Sequence, residues 1–290
     1  MPRIRIPVAV LLFAALAGGA CGGGSKATPL EAVQAAATKT QSARTAAMTV
    51  TIAGGQGALA NTSFDGAFDF DHHLGSIEVD ASKLGIPGGT GTIQAIMDVG
   101  DSFVEYMKIP QLAQETGKHW LKLDVGAAMK SVCPDIDFTA LLKNQSGDPT
   151  SGLRILDAAD KVTAAGNEPV RGTNTTHYQV EVNLNKVADN ASADAKKTIQ
   201  QLASFYANPV QNVDVWLDSD GRMRRFKQTV DTANLKLPPC LSSAQAAAAN
   251  PFKGTLSITQ EMYDFGKTVD VSVPAASDVA DFQDLLRQAG

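Results

Sequence analysis

Apolar and polar positions change period several times along this chain, and each change predicts an element. Pro29 to Arg44 has helical spacing, with Leu30, Val33, Ala36 and Ala37 on one side. Thr28 is placed to cap it, with Pro29 at the first helical position and Glu31 in the first turn. Period two then takes over. Met48 to Ile52 alternates and stops at Gly54-Gly55; strands follow around Phe64 to Phe70, Gly75 to Asp80, Thr92 to Val99, Ser102 to Ile109 and Trp120 to Leu123. Short alternating runs separated by Gly, Asp and Asn predict an antiparallel meander with one apolar face.

The middle of the chain mixes both periods. Phe138 to Lys143 and Pro149 to Asp160 read as short helices, and Lys161 to Ala165 as a return to strand. Thr176 to Val182 alternates cleanly. Ala193 to Tyr206 predicts a helix with Ile199, Leu202, Ala203 and Tyr206 on one face and Lys196, Lys197, Gln200 and Gln201 on the other. Val213 to Leu217, the turn Asp218-Ser219-Asp220-Gly221 and Met223 to Val230 predict a hairpin. Thr255 to Tyr263 and Val269 to Val273 read as strands, Ala244 to Ala249 as a loop insertion or one helical turn, and Asp278 to Gln288 as a closing helix. The sum is an α+β fold: a large curved antiparallel sheet, a half-barrel, with helices packed on its concave side.

The first twenty residues stand outside this pattern. Arg3 and Arg5 precede an apolar run from Val8 to Ala17, and Gly18-Gly19-Ala20 leads into Cys21. Charge, then apolar residues, then small residues is the order of a secretory signal, and about ten apolar residues are too few to span a bilayer comfortably. Small residues directly before a cysteine resemble the lipobox of bacterial lipoproteins, in which the thiol is acylated; ordinary cleavage after Ala20 is the alternative. Gly22-Gly23-Gly24-Ser25 then makes a flexible tether. The expected organisation is a signal peptide over 1–20, the lipidated Cys21 and tether over 21–28, and a single domain over 29–290.

Charge narrows the partners. Removing a segment with two arginines and no acidic residue takes the formal charge from −5 to −7. An acidic chain without a lysine-arginine block predicts no nucleic-acid partner, and membrane attachment would rest on the acyl chains at Cys21. The other two cysteines, Cys133 and Cys240, lie in loop contexts beside prolines. In an exported chain such a pair reads as a disulfide, with two free thiols as the alternative.

The order of elements and several local motifs resemble the LprG/LppX-type lipoproteins of actinobacteria, which share a half-barrel with the lipoprotein carrier LolA. The motifs are Cys21 with its linker, the opening helix to Ala43-Arg44, Asp148-Pro149 with Leu153 and Leu156, Gly166 to Thr173 with Thr176-His177-Tyr178, and Val213 to Asp218 with Asp220-Gly221 and Arg224-Arg225. The resemblance implies an apolar cavity between sheet and helices, holding a lipid or acylated glycolipid. Alternation proposes Val50, Ile52, Ile93, Met97, Phe103, Tyr106, Leu121, Ile199, Leu202 and Trp216 as its lining. The same residues could instead fill a solid core, leaving an envelope lipoprotein that binds a protein partner through an apolar patch on its outer sheet face.

Candidate chemistry is sparse. His72-His73 lies among Asp65, Asp69, Asp71, Glu78 and Asp80, but adjacent strand residues point to opposite faces, so no shared metal is expected. His119 has no nucleophile paired with it in sequence, and His177 reads as a hydrogen bonder on a sheet face. Asp218 to Gly221 resembles the start of a calcium loop but lacks its later ligands. No nucleophile elbow, zinc-protease helix, phosphate loop or dinucleotide fingerprint occurs. The expectation is therefore a binding protein without cofactor or catalysis, anchored on the extracytoplasmic side of a cell membrane.

Overall fold

The structure, a computed structural model, describes residues 27–56, 60–84, 91–100, 103–109, 112–136, 156, 159–190, 193–206, 208–242 and 254–289. The signal segment, Cys21 and its tether, the proposed helix over 138–143, the first seven residues of the proposed helix over 149–160, and the alanine patch lie outside these residues.

Twelve strands form one curved, unclosed sheet: β1 (Thr45–Gly54), β2 (Thr62–Asp69), β3 (Leu74–Asp80), β4 (Thr92–Asp98), β5 (Val104–Lys108), β6 (Trp120–Asp124), β7 (Ala159–Val170), β8 (Thr173–Asn183), β9 (Val210–Leu217), β10 (Met223–Asp231), β11 (Thr255–Tyr263) and β12 (Val279–Asp281). Their order is β12-β6-β5-β4-β3-β2-β1-β11-β10-β9-β8-β7. The first six and the last five of the long strands are meanders, and β11 joins the two by pairing with β1. Every pair is antiparallel except β12 with β6.

The expected opening helix is two short ones, α1 (Pro29–Gln34) and α2 (Ala36–Gln41). Thr28 and Glu31 form a reciprocal capping box, so the sequence signal for this start is met in full. Val33, Ala36 and Ala37 are buried against Phe68, Val182, Val215 and Met223, whereas Leu30 is exposed. These contacts define the inner face of the sheet, the face the helices cover. The Thr40 hydroxyl accepts a hydrogen bond from the Met223 amide at 2.9 Å, fixing α2 to the start of β10.

Several elements differ from their expectations. α3 (Leu112–Thr116), α4 (Val125–Val132) and α5 (Leu184–Asn190) are short helices between strands, while α6 (Ala193–Phe205) is the helix the periodicity predicts. Val269 to Val273 is not a strand, and Ala159-Asp160 opens β7 instead of ending a helix. Val279 to Asp281, expected as helix, pairs with β6, and α7 (Phe282–Ala289) begins only after it. His119 explains that start: its Nδ1 lies 2.7 Å from the Asp278 carboxylate, which also accepts the His119 amide at 3.0 Å. The two strand beginnings are thereby held together.

Candidate functional site

Cross-strand register sorts the side chains by face. On the inner face Val50 stands opposite Phe64 and Gln260, and Ile52 opposite Ile258. The same face continues through Ile77 and Ala95 to Met107, and through Val79 to Ile93. Gly75 sits between Phe68 and Met97, and a Cβ there would stand 2.8 Å from the Phe68 ring. The glycine therefore lets an aromatic ring lie flat across β3.

Two core clusters occupy opposite ends of this face. One packs under α1 and α2 and gathers Phe68, Phe70, Val180, Val182, Val213, Val215, Leu217, Met223 and Met262. The other holds Leu112, Leu121 and Ala280, with Met107, Phe282 and Leu285 against them. Between them Val50, Phe64, Ile77, Ile93, Met97 and Ile258 are only half-buried and belong to neither cluster. They form an apolar strip over β11, β1, β2, β3 and β4.

Cys133 and Cys240 are disulfide-bonded, with Cα atoms 5.3 Å apart. Seven strand spacings separate β6 from β10 in the sheet order, about 34 Å in a flat sheet. The two strands also run in opposite directions, so α4 and residues 232–242 leave the sheet at opposite strand ends. Their junction makes a strap between the two segments. Lys236 extends it, donating its amide to the Phe205 carbonyl at 2.7 Å, at the end of α6. The α6 helix packs in turn on α5, whose Val187 lies against the first cluster.

The sequence-proposed lining divides on this frame. Val50, Ile52, Ile93, Met97 and Leu121 share the inner face, and Phe103 precedes β5 in the same alternation. Ile199 is half-buried in α6, and the side chain of Leu202 lies outside the described residues. Tyr106 and Trp216 are corrections. Tyr106 pairs with Ile96 and Lys122, and Trp216 with Arg225 and His177, all on the outer face. For Trp216 the cause is the alternation of β9 itself: Val213, Val215 and Leu217 face inward, so the residue between the last two faces out.

The outer face is polar and closely paired. One cross-strand row passes from Trp120 through Lys108, Gln94, Glu78 and Asp65 to Thr49, and on through Glu261, Arg225 and Trp216 to His177. Both tryptophans of the chain therefore lie in a single row. Trp216 stacks on His177 at 4.2 Å, with the Arg225 guanidinium 5.1 Å from its ring and its indole N–H donated to Glu168. His177 pairs with Asp214 at 2.7 Å. Arg171, at the tip of the β7–β8 hairpin with φ 48°, lies 4.0 Å over Tyr263 and bonds Glu261 at 2.7 Å. Burial pushes the Glu261 carboxyl up, but Arg225 and Arg171 outweigh it and hold the group below the usual range.

The remaining motifs are structural. His72 and His73 sit in the β2–β3 turn, not on a strand; His72 pairs with Asp69 at 2.8 Å and His73 adopts φ 56°. Asp218 closes the β9–β10 turn, accepting the amides of Asp220 and Arg222 and pairing with Arg222 and Arg224. Among the described residues no cluster of three or more His, Cys, Asp or Glu could hold a metal. Exposed large hydrophobics among them are Leu30 and Val273, neither of them on the outer sheet face.

No family model matches the chain. A Streptomyces griseus protein, described as an uncharacterized 31.2 kDa protein in the rplA-rplJ intergenic region, is 28% identical over 288 residues, covering 92% of this chain and 83% of its own. Among solved structures, the lipoprotein LppX of Mycobacterium tuberculosis matches 83% of this chain and 98% of its own, with 14% identity and a TM-score of 0.44. LprF from Mycobacterium bovis matches 86% and 97%, with 10% identity and a TM-score of 0.46.

Proposed function

We propose that the chain is a single-domain envelope lipoprotein, anchored through an acylated Cys21 on the extracytoplasmic side of the membrane, and that it shields the acyl chains of a lipid or glycolipid on the inner face of its sheet. The observation that carries the reading is the half-buried apolar strip between the two core clusters. Apolar surface with few polar groups is the usual lining of lipid and small-molecule sites. Its half-buried side chains, Val50, Phe64, Ile77, Ile93, Met97 and Ile258, offer apolar surface on which acyl chains would lie. The tether after Cys21 gives such a body freedom to stand off the membrane.

The alternative, a solid-cored interaction module, would be favoured by an apolar outer patch, and the outer face instead carries paired charges. Native mass spectrometry of the chain from Gly22 onward, with organic extraction of what copurifies, tests the carrier reading. A stoichiometric acylated species is expected. An apo mass that stays unchanged after incubation with envelope lipids would exclude it.

A further inference from the structure

Glu105 is out of place on the inner face. It lies in the middle of β5, opposite Met97 on one side and Leu123 on the other, and its same-face neighbour along the strand is Met107. It is half-buried, and among the described residues it has neither a hydrogen-bond nor an ion-pair partner. Burial is the sole influence on its carboxyl and pushes it above the ordinary range. A carboxyl set among methionines and leucine without a donor is costly in the empty protein. The cost falls when a ligand brings a hydroxyl or amide N–H to it. It rises when the ligand brings a second negative charge, because two like charges in a weakly screening site repel.

We propose that Glu105 is a specificity-determining residue of the inner face, accepting a hydrogen bond from a hydroxyl or amide of an acylated ligand and discriminating against ligands whose polar end is a carboxylate or phosphate. The proposal rests on the lipid-carrier reading and adds the chemistry of the head group: a neutral, hydroxyl-bearing acyl ester or glycolipid in place of a free fatty acid.

Titration calorimetry on residues 22–290, which contain every described residue, separates the two ideas. The probes are dodecanoate and 1-monododecanoylglycerol, each below its aggregation threshold, at about pH 8, where an ordinary carboxyl is ionised. The wild type is expected to bind the glycerol ester at least about tenfold more tightly than dodecanoate, a difference of one power of ten in Kd. Glu105→Gln should bring the two within about threefold, mainly by tightening dodecanoate. Glu105→Asp retains the charge and should retain the preference, and thermal melts of both variants report whether they fold. An unchanged ratio in Glu105→Gln, or a wild type that prefers dodecanoate, overturns the assignment while leaving the carrier reading standing. Failure of the wild type to bind either probe overturns both.

Discussion

The two faces of the sheet treat carboxylates in opposite ways. On the outer face Glu261 has two guanidinium partners and Asp214 an imidazole, while at the β9–β10 turn Asp218 has two guanidiniums and two backbone amides. On the inner face Glu105 has none among the described residues. The shifts follow the partners: Asp218 and Glu261 are held low despite burial that pushes both up, and Glu105 is pushed high by burial alone. These outer-side carboxylates are thus satisfied by partners within the protein, and the inner side carries a carboxyl that has none among the described residues. Unpaired groups of this kind point to function sooner than complete networks do.

The comparison can be broken most forcefully at the strap. Reducing Cys133–Cys240, which closes a separation of 107 residues, should lower stability by about 4–5 kcal/mol in the chain-entropy limit. Denaturant melts with and without reductant measure it. The loss should come with increased solvent access at the inner face and little change around Trp216, visible by hydrogen exchange. Equal loosening of both faces would mean that the disulfide is not a strap over one side. Asp218→Ala ranks next. It leaves Arg224 beside Phe265 without its carboxylate, reduces Arg222 to its pair with Asp220 and leaves two amides without their acceptor, at an expected cost of about 3 kcal/mol.

Acid sharpens the same contrast. A carboxylate whose folded value is depressed contributes stability above its unfolded value of about 3.9 for Asp, and that contribution disappears as pH falls through the folded value. Asp218 and Glu261 therefore make the fold acid-sensitive. Glu105, raised in the fold, acts in the other direction: its penalty is full above the folded value and vanishes below the unfolded one. Glu105→Gln should gain about 1 kcal/mol at neutral pH, the size typical of a single relieved conflict. The gain should fade as pH drops toward the unfolded carboxyl range. A gain that is the same at all pH values would show that charge at this position is not the cause.

Much of the sheet was legible in the sequence, because strict alternation is a strong signal wherever one face is covered. Met48 to Ile52, Thr176 to Val182 and Thr255 to Tyr263 all lie within strands. Two kinds of error have physical causes. Val269 to Val273 alternates but pairs with nothing in the sheet, whereas Val279 to Asp281 looks helical and is drawn into pairing with β6 by Asp278 and His119. Local pattern cannot report such a distant partner. Facing is more fragile still: the phases of β9 and β5 decide where Trp216 and Tyr106 point, and a single residue of register reverses the answer. Glu105 could have been noticed as a charge in step with Phe103 and Met107, but alternation alone does not say that its neighbours lack a donor.

The smallest expected effect lies at the edge of the outer face and tests how far its completeness extends. Lys122 and Asp281 join β6 to β12 at 3.6 Å, and both side chains are about one-third exposed. The pair lies two residues along β6 from Trp120, within the parallel ladder of β12 and β6, the only one among the described residues. Water and salt screen such pairs, so Lys122→Ala should cost about 0.5 kcal/mol or less, against about 3 kcal/mol at Asp218. A denaturation midpoint measured at low and at high salt decides the matter. A small loss that vanishes at high salt would mark Lys122 as a screened edge contact, confining the strongly paired network to the half of the sheet that runs β1-β11-β10-β9-β8-β7. A loss above about 1.5 kcal/mol, insensitive to salt, would mean that the pair holds β12 in place, and the outer face would then be tied together from one sheet edge to the other.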